Sequence, residues 1–80
     1  MITIILEHAS DALKGELTKW ITVVKPGVYV GNINARTREL LISKIQNEYD
    51  DLKEIAAQIY FDSKNELGYE VVEIGMQQKN

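Results

Sequence analysis

The fold is decided by the stretch Ile2-Thr-Ile-Ile-Leu-Glu7, which is apolar, largely β-branched and closed by an acid. A continuous apolar run of this length is typical of a strand buried on both faces at the centre of a sheet. The run has no basic residue before it and is too short for a signal peptide or a membrane span. We therefore expect a soluble, cytoplasmic domain built around this strand.

The segment after the first strand predicts a helix that reaches Pro26-Gly27. Ser10 or Asp11 can cap this helix through a side-chain oxygen. Pro26-Gly27 would then end it. The apolar stripe at helical spacing comprises Leu13, Leu17, Trp20, Ile21 and Val24.

A short strand and a second helix follow. Residues 28–30 read Val-Tyr-Val between two glycines, which predicts a strand that Ile33 could continue. Asn34 is the next residue suited to cap a helix. The inner face of that helix is expected to comprise Leu41, Ile45, Tyr49 and Leu52.

The last third of the chain predicts a β-hairpin. Residues 54–62 alternate between apolar and polar or small side chains, which is strand periodicity. The polar residues 62–68 would form the turn, and residues 69–74 would return as a further strand. Gly75 opens a polar tail. The apolar positions of the first hairpin strand are Ile55, Ala57, Ile59 and Phe61.

These elements predict the order β-α-β-α-β-β, or β-α-β-β-α-β if the strand at 28–33 is split. Either order indicates an α+β, ferredoxin-like sandwich with a four-stranded sheet and two helices on one face. The other face, with Ala56, Gln58 and Tyr60, would then be bare. A chain of 80 residues buries a smaller fraction of its surface than a larger domain does. We therefore expect a homodimer that covers this face.

The net charge of −3 is unevenly distributed along the chain. Residues 1–46 hold six lysines and arginines against four acids, whereas residues 47–80 hold three against eight. The first half could therefore meet a polyanion while the second half faces away from it. The alternative is that these charges only solvate helix faces.

No catalytic constellation stands out in the sequence. The lack of cysteine excludes thiolate zinc sites and thiol catalysis and fits a reducing cytosol. The run from Gly27 to Gly31 lacks the third glycine of a dinucleotide fingerprint. Glu7, at the end of the first strand, could hold a hard metal ion if a symmetric dimer brought two copies together. The alternative for Glu7 is a solvated strand end, and His8 beside it is expected to be an ordinary polar residue.

Two arginines at the start of the second helix indicate anion binding. Arg36 and Arg38 oppose the helix macrodipole, which favours acids in the first turn. A phosphate placed among these arginines and the free N–H groups of the turn would relieve the conflict. Lys14, at the start of the first helix, follows the same argument with weaker force, and Lys79 could add a contact from the tail. Ordinary surface arginines are the alternative.

A resemblance to a known family is carried by the span Gly27-Val-Tyr-Val-Gly-Asn-Ile-Asn-Ala-Arg-Thr-Arg-Glu-Leu-Leu41. This span resembles the signature of the type I-E branch of the CRISPR-associated "Cas-two" family, the small non-integrase partner in the complex that captures new spacers. The resemblance covers nearly the whole chain. It also includes Ile4-Ile-Leu-Glu7, Leu13-Lys-Gly-Glu-Leu-Thr-Lys-Trp20, Leu67-Gly-Tyr-Glu70 and Gly75-Met-Gln-Gln-Lys79.

The resemblance implies that residues 1–80 form a single ferredoxin-like CRISPR adaptation domain that pairs as a symmetric homodimer. The dimer would bridge two integrase dimers, with the captured double-stranded DNA across its surface and no cofactor required. Carried over by position, the residues that contact the DNA backbone would be Lys14, Arg36 and Lys79. Arg38 is a fourth candidate from the position at the helix start.

The sequence also departs from the family pattern. Ala12 and Gln78 stand where relatives can carry arginine. This difference predicts that fewer positively charged side chains contact the DNA. Relatives continue past the position of Asn80 with an apolar tail that adds a strand and contacts the integrase. We therefore expect either a truncated or fused domain or a different docking mode.

Two functions other than a structural scaffold, which would hold DNA and the integrase together, are also possible for this chain. Members of the wider family are described as metal-dependent nucleases with an aspartate at the end of the first strand. This chain could accordingly be an endonuclease, acting on RNA or DNA with Mg²⁺ or Mn²⁺ held by paired Glu7 residues. The resemblance favours the scaffold, because the type I-E branch is regarded as structural. An RNA-binding module is the other alternative, but the first strand lacks the aromatic residues on which such domains stack bases.

Overall fold

The computed structural model describes residues 1–75, which form one open antiparallel sheet and two helices. The strand order in the sheet is β2-β3-β1-β4-β5, so that β1 is central and β2 and β5 are the edges. The elements in chain order are β1 (Ile2–Glu7), α1 (Asp11–Leu17), β2 (Thr22–Lys25), β3 (Val28–Gly31), α2 (Ala35–Leu52), β4 (Ala56–Asp62) and β5 (Tyr69–Ile74).

Both helices pack on the same face of the sheet and enclose a single core. Ile4 of β1 pairs with Tyr29 of β3 and with Ile59 of β4, and all three side chains are buried under the helices. Leu41 and Ile45 of α2 join the same cluster and are fully buried. The predicted α+β architecture with two helices on one face is therefore confirmed.

The prediction that the first strand is buried on both faces is wrong. β1 does lie at the centre of the sheet, but its residues alternate between the core and an open face. Ile5, which points to that open face, is 38% exposed. Because both helices occupy one side, the other side of the sheet has no covering layer within the described residues. The predicted bare face is thus present, although the run of apolar residues did not reveal it.

The prediction of a helix that continues to Pro26-Gly27 is also wrong, because α1 ends at Leu17 and a strand follows. The segment Thr22-Val-Val contains only β-branched residues, which lose side-chain freedom in a helix and suit a strand. Gly27 has a φ of 81° and turns β2 back onto β3. Val24, expected on the helical stripe, is instead 58% exposed. The sheet therefore has five strands rather than four.

The predicted start of the second helix is confirmed, and its predicted inner face is confirmed in part. The side chain of Asn34 accepts a hydrogen bond from the backbone N–H of Thr37 at 2.8 Å. Leu52 is 49% exposed, because the helix ends at this residue and Lys53 turns the chain in a left-handed conformation with a φ of 59°. Ile33 lies between β3 and α2 and packs against the core without extending the strand.

The β4–β5 hairpin also forms as predicted. The Asn65 side chain accepts a hydrogen bond from the Gly68 N–H at 2.9 Å and donates one to the Tyr69 carbonyl at 3.0 Å. These contacts fix the turn and therefore the register of the two strands. Across the described part of the chain, neither helix has the length and apolar character that crossing a membrane requires.

Candidate nucleic-acid interface

The start of α2 carries positive charge and no acid in its first turn. The Asn34 cap satisfies the N–H of Thr37, and the Asn34 carbonyl satisfies the N–H of Arg38. The N–H groups of Ala35 and Arg36 precede the first helical hydrogen bonds and remain open to an acceptor. The Arg36 side chain is exposed and makes no ion pair within residues 1–75. This turn therefore presents donors and positive potential to solvent.

Arg38 lies differently from Arg36. Its guanidinium carbon sits 4.1 Å from the centroid of the Phe61 ring, on the helix-covered face of β4. Its Nε is 3.5 Å from a carboxylate oxygen of Glu39 but lacks a hydrogen-bond partner among the described residues. The side chain is 25% exposed. The two arginines are therefore not equivalent: Arg36 is displayed, whereas Arg38 is held against an aromatic ring.

Lys14 lies on α1, and the reasoning that placed it at the start of a long helix needs correction. Because α1 ends at Leu17, Lys14 belongs to the last turn, where a basic residue agrees with the macrodipole. Its Nζ is 4.0 Å from Asp11 Oδ1, and both side chains are largely exposed. Lys14 thus remains available at the surface. Lys79, the fourth predicted contact, lies outside the described residues.

A carboxylate that the sequence did not single out joins the two helices. Glu48 of α2 accepts hydrogen bonds from the backbone N–H of Ser10 at 2.7 Å and from its hydroxyl at 2.6 Å. The Ser10 hydroxyl oxygen in turn accepts from the Leu13 N–H at 3.1 Å, so Ser10 rather than Asp11 caps α1. The position of α1 on α2 therefore depends on this part-buried link.

A second link lies further along the two helices. Glu16 of α1 contacts Lys19 Nζ at 2.9 Å and Lys44 Nζ of α2 at 3.3 Å. The hydrogen bonds with Lys19 and then Lys44 lower the pKa of the Glu16 carboxyl below its ordinary value. The spacing of Glu16 and Lys19 could have indicated their pairing from sequence. The contact with Lys44 depends on tertiary packing and gave no sequence signal.

Replacing Glu48 by alanine should destabilise the protein by about 1–3 kcal/mol, because two donors on Ser10 lose a charged acceptor. The measurement is urea unfolding followed by circular dichroism. Asp51→Ala is the matched control: Asp51 is an exposed acid near the end of the same helix. We expect it to change the free energy of unfolding by less than about 0.5 kcal/mol. Equal stability of the two variants would contradict the assigned role of Glu48.

Glu7 closes β1 on the open face of the sheet, where it pairs with Ala56. It borders a shallow depression of about 100 Å³ together with Ile5, Ala56 and Gln58. Among residues 1–75, no three histidine or acidic side chains gather as a metal site. Magnesium needs several oxygen ligands in near-octahedral geometry, and one carboxylate does not provide them. The described donors around Glu7 in a single protomer therefore do not fit a divalent cation.

The open face of the sheet carries a row of apolar and aromatic side chains across its strands. Cross-strand pairing aligns Val30, Thr3, Tyr60 and Val71, with Ile5 in the neighbouring row. Val71 and Ile5 are exposed, and the rings of Tyr60 and Tyr69 lie 6.3 Å apart. The row of Ile5 continues to Gln58 and Glu73, so the uncovered face combines apolar and aromatic side chains with polar and acidic ones.

The comparison with protein families identifies the chain. A family model described as "CRISPR-associated protein (Cas_Cas2CT1978)" matches residues 1–80. Because the match spans the whole sequence, the chain belongs to this family of Cas-two-type CRISPR-associated proteins. The family suggested by the sequence motifs is therefore confirmed at this level.

Proposed function

We propose that this protein is a structural subunit of the CRISPR adaptation complex of the type I-E branch. It acts in the cytoplasm as a homodimer that bridges integrase subunits and holds the captured DNA duplex by its phosphates. The observation that carries the proposal is the acid-free first turn of α2, where Arg36 stands exposed beside open N–H donors. Family membership supports the role in spacer acquisition.

The topology supports a ferredoxin-like protomer. The first four strands have the order β2-β3-β1-β4, all neighbours are antiparallel, and the helices follow β1 and β3. This is the β-α-β-β-α-β arrangement. The fifth strand extends it beside β4.

The open face supports the homodimer. A small domain with exposed aliphatic and aromatic side chains on one sheet face gains stability when a second copy covers them. A twofold axis would pair the same face of each protomer. The dimer would then carry two copies of the basic turn at the start of α2. Two such turns can contact one DNA duplex at two places along its length.

Phosphate contacts of this type hold DNA without reading its sequence. Arg36 is the main contact, because its guanidinium is exposed. Lys14 is a peripheral contact. Arg38 contributes positive potential from its position over Phe61.

We expect the double variant Arg36→Ala with Arg38→Ala to bind duplex DNA more weakly by a similar factor for every sequence. The plot of log affinity against log salt should become flatter by about one unit for each phosphate that the variant no longer binds. The measurement is fluorescence anisotropy of labelled duplexes of several sequences, each titrated over a series of salt concentrations.

The matched control is Lys53→Ala with Lys64→Ala, which removes the same charge from a helix end and a hairpin turn. It should change affinity and slope much less, because neither lysine lies at the start of α2. Circular dichroism checks that removing the Arg38 side chain from the Phe61 ring leaves the fold intact. Unchanged affinity and slope in the arginine variant would defeat the assignment of this turn as the DNA contact.

A further inference from the structure

The ion-pair bridge between the helices places an acid between two lysines. Glu16 holds the ammonium groups of Lys19 and Lys44 at 2.9 Å and 3.3 Å. All three side chains retain access to solvent, with Glu16 and Lys44 about one third exposed and Lys19 more so. The lysines are therefore at the surface but already engaged with a carboxylate.

The bridge includes a lysine of α2, the helix that carries the main proposed DNA contact. Lys44 follows Arg36 by eight residues on α2, which places the two side chains within about 80° of each other around the helix axis. Lys14 precedes Glu16 by two residues on α1, so the two side chains project about 160° apart around that helix and Lys14 lies away from the bridge. Lys44 lies about 12 Å from Arg36 along the axis of α2 and on an adjoining side of that helix, so a duplex that runs along α2 from Arg36 would approach the bridged lysines.

We propose that Glu16 is an internal competitor for phosphate, so that DNA gains Lys19 and Lys44 only by displacing its carboxylate. The inference rests on the proposed function and assigns a restraining role to a residue of the same surface. The lowered pKa of Glu16 is consistent with a carboxylate that stays ionised in the bridge. The consequence is a duplex affinity below the value that the lysine content alone would give.

The expected size of the effect follows from the strength of exposed ion pairs. Each such pair contributes little, so releasing two lysines should tighten duplex binding by roughly 2- to 10-fold at low salt. Two additional lysines on phosphates should also steepen the plot of log affinity against log salt by about one to two units. Both changes are opposite in direction to those of the arginine variant.

The experiment compares Glu16→Gln with the wild-type protein by anisotropy of a labelled duplex over a series of salt concentrations. Glu54→Gln is the matched control for net charge, because Glu54 is exposed between α2 and β4 and makes no ion pair within the described residues. We expect tighter binding and a steeper slope for Glu16→Gln than for Glu54→Gln. Equal behaviour of these two variants would overturn the proposal.

Two further variants separate release of the lysines from other effects. Glu16→Asp keeps the charge but shortens the side chain by one methylene, and it should give part of the gain in affinity. Glu16→Gln combined with Lys19→Gln and Lys44→Gln should lose the gain, whereas a persisting gain would contradict the proposal. If Glu16→Gln does not fold, the result for Glu16→Asp decides. Failure of the proposed function is distinguishable, because wild-type protein and all variants would then fail to bind duplex.

Discussion

A lysine in place of Ile5 should convert the proposed homodimer into monomers. Ile5 lies on the central strand and points to the open face, where it is 38% exposed in the protomer. In the monomer, an ammonium group at this position costs little free energy, because water still reaches it. In a dimer closed over this face, the ammonium group would lose its water, which costs several kcal/mol and is only partly offset by Glu7 on the same face. We therefore expect the dimer dissociation constant to rise by more than about 100-fold.

Sedimentation equilibrium over a range of protein concentrations measures this change. Leu40→Lys is the matched control, because Leu40 is 42% exposed on α2, on the opposite side of the molecule from the open face. It introduces the same side chain in place of an apolar one and should leave the dimer unchanged. A wild-type protein that stays monomeric would contradict the dimer, and an undisturbed dimer of Ile5→Lys would contradict this face as its interface.

Elements with a single consistent pattern were predicted correctly from the sequence. The alternation along β4 fits only a strand, and the capping side chain of Asn34 fits only a helix start. Both predicted elements are observed. The central place of β1 was also predicted, because an unbroken apolar run suits an inner strand. Its one-sided burial was not predicted from the run itself, although the expected placement of both helices on one face implies it.

The prediction for the region between α1 and β3 was wrong because two patterns coincide there. Trp20, Ile21 and Val24 continue the helical spacing of α1, while Thr22-Val-Val is also a good strand. Tertiary structure resolves the conflict: pairing with β3 gives this segment backbone partners, and the turn at Gly27 makes that pairing possible. Ile21 still reaches the core, but from the turn that leads into the strand.

Only those parts of the candidate site that depend on residues close together in the sequence were predictable. The position of Arg36 and Arg38 at a helix start follows from the Asn34 cap, and both residues are where the sequence placed them. The stacking of Arg38 on Phe61 and the bridge from Glu16 to Lys44 join residues that are more than 20 positions apart. Such contacts depend on how α1, α2 and β4 pack, which local patterns do not specify.

Replacing Gly31 by alanine should destabilise the fold strongly. A Cβ atom at this position would lie 2.5 Å from Cγ2 and 2.9 Å from Cβ of Ile21, and 3.2 Å from its backbone Cα. Ile21 is buried in the core, so it cannot swing into solvent. Relief requires a shift of β3 or of the turn before β2. Overpacking of this kind costs about 1–3 kcal/mol, and we expect the upper part of that range.

Urea unfolding measures the decrease in stability, and the same substitution elsewhere provides the control. Gly15 lies in α1, where an added Cβ atom would have no neighbouring atom within 4 Å. Gly15→Ala should therefore be neutral or stabilising by up to about 1 kcal/mol. Combining Gly31→Ala with Ile21→Ala should cost less than the sum of the two single changes, because the clash and the cavity offset each other.

The same clash explains why a glycine stands in the span that carries the family resemblance. Gly31 ends β3 shortly before the basic turn of α2, but its close approach to Ile21 gives it a packing role rather than a ligand role. We therefore expect duplex binding by Gly31→Ala to fall only in proportion to the unfolded fraction. A fully folded Gly31→Ala protein that no longer binds duplex would show instead that this glycine contacts the DNA.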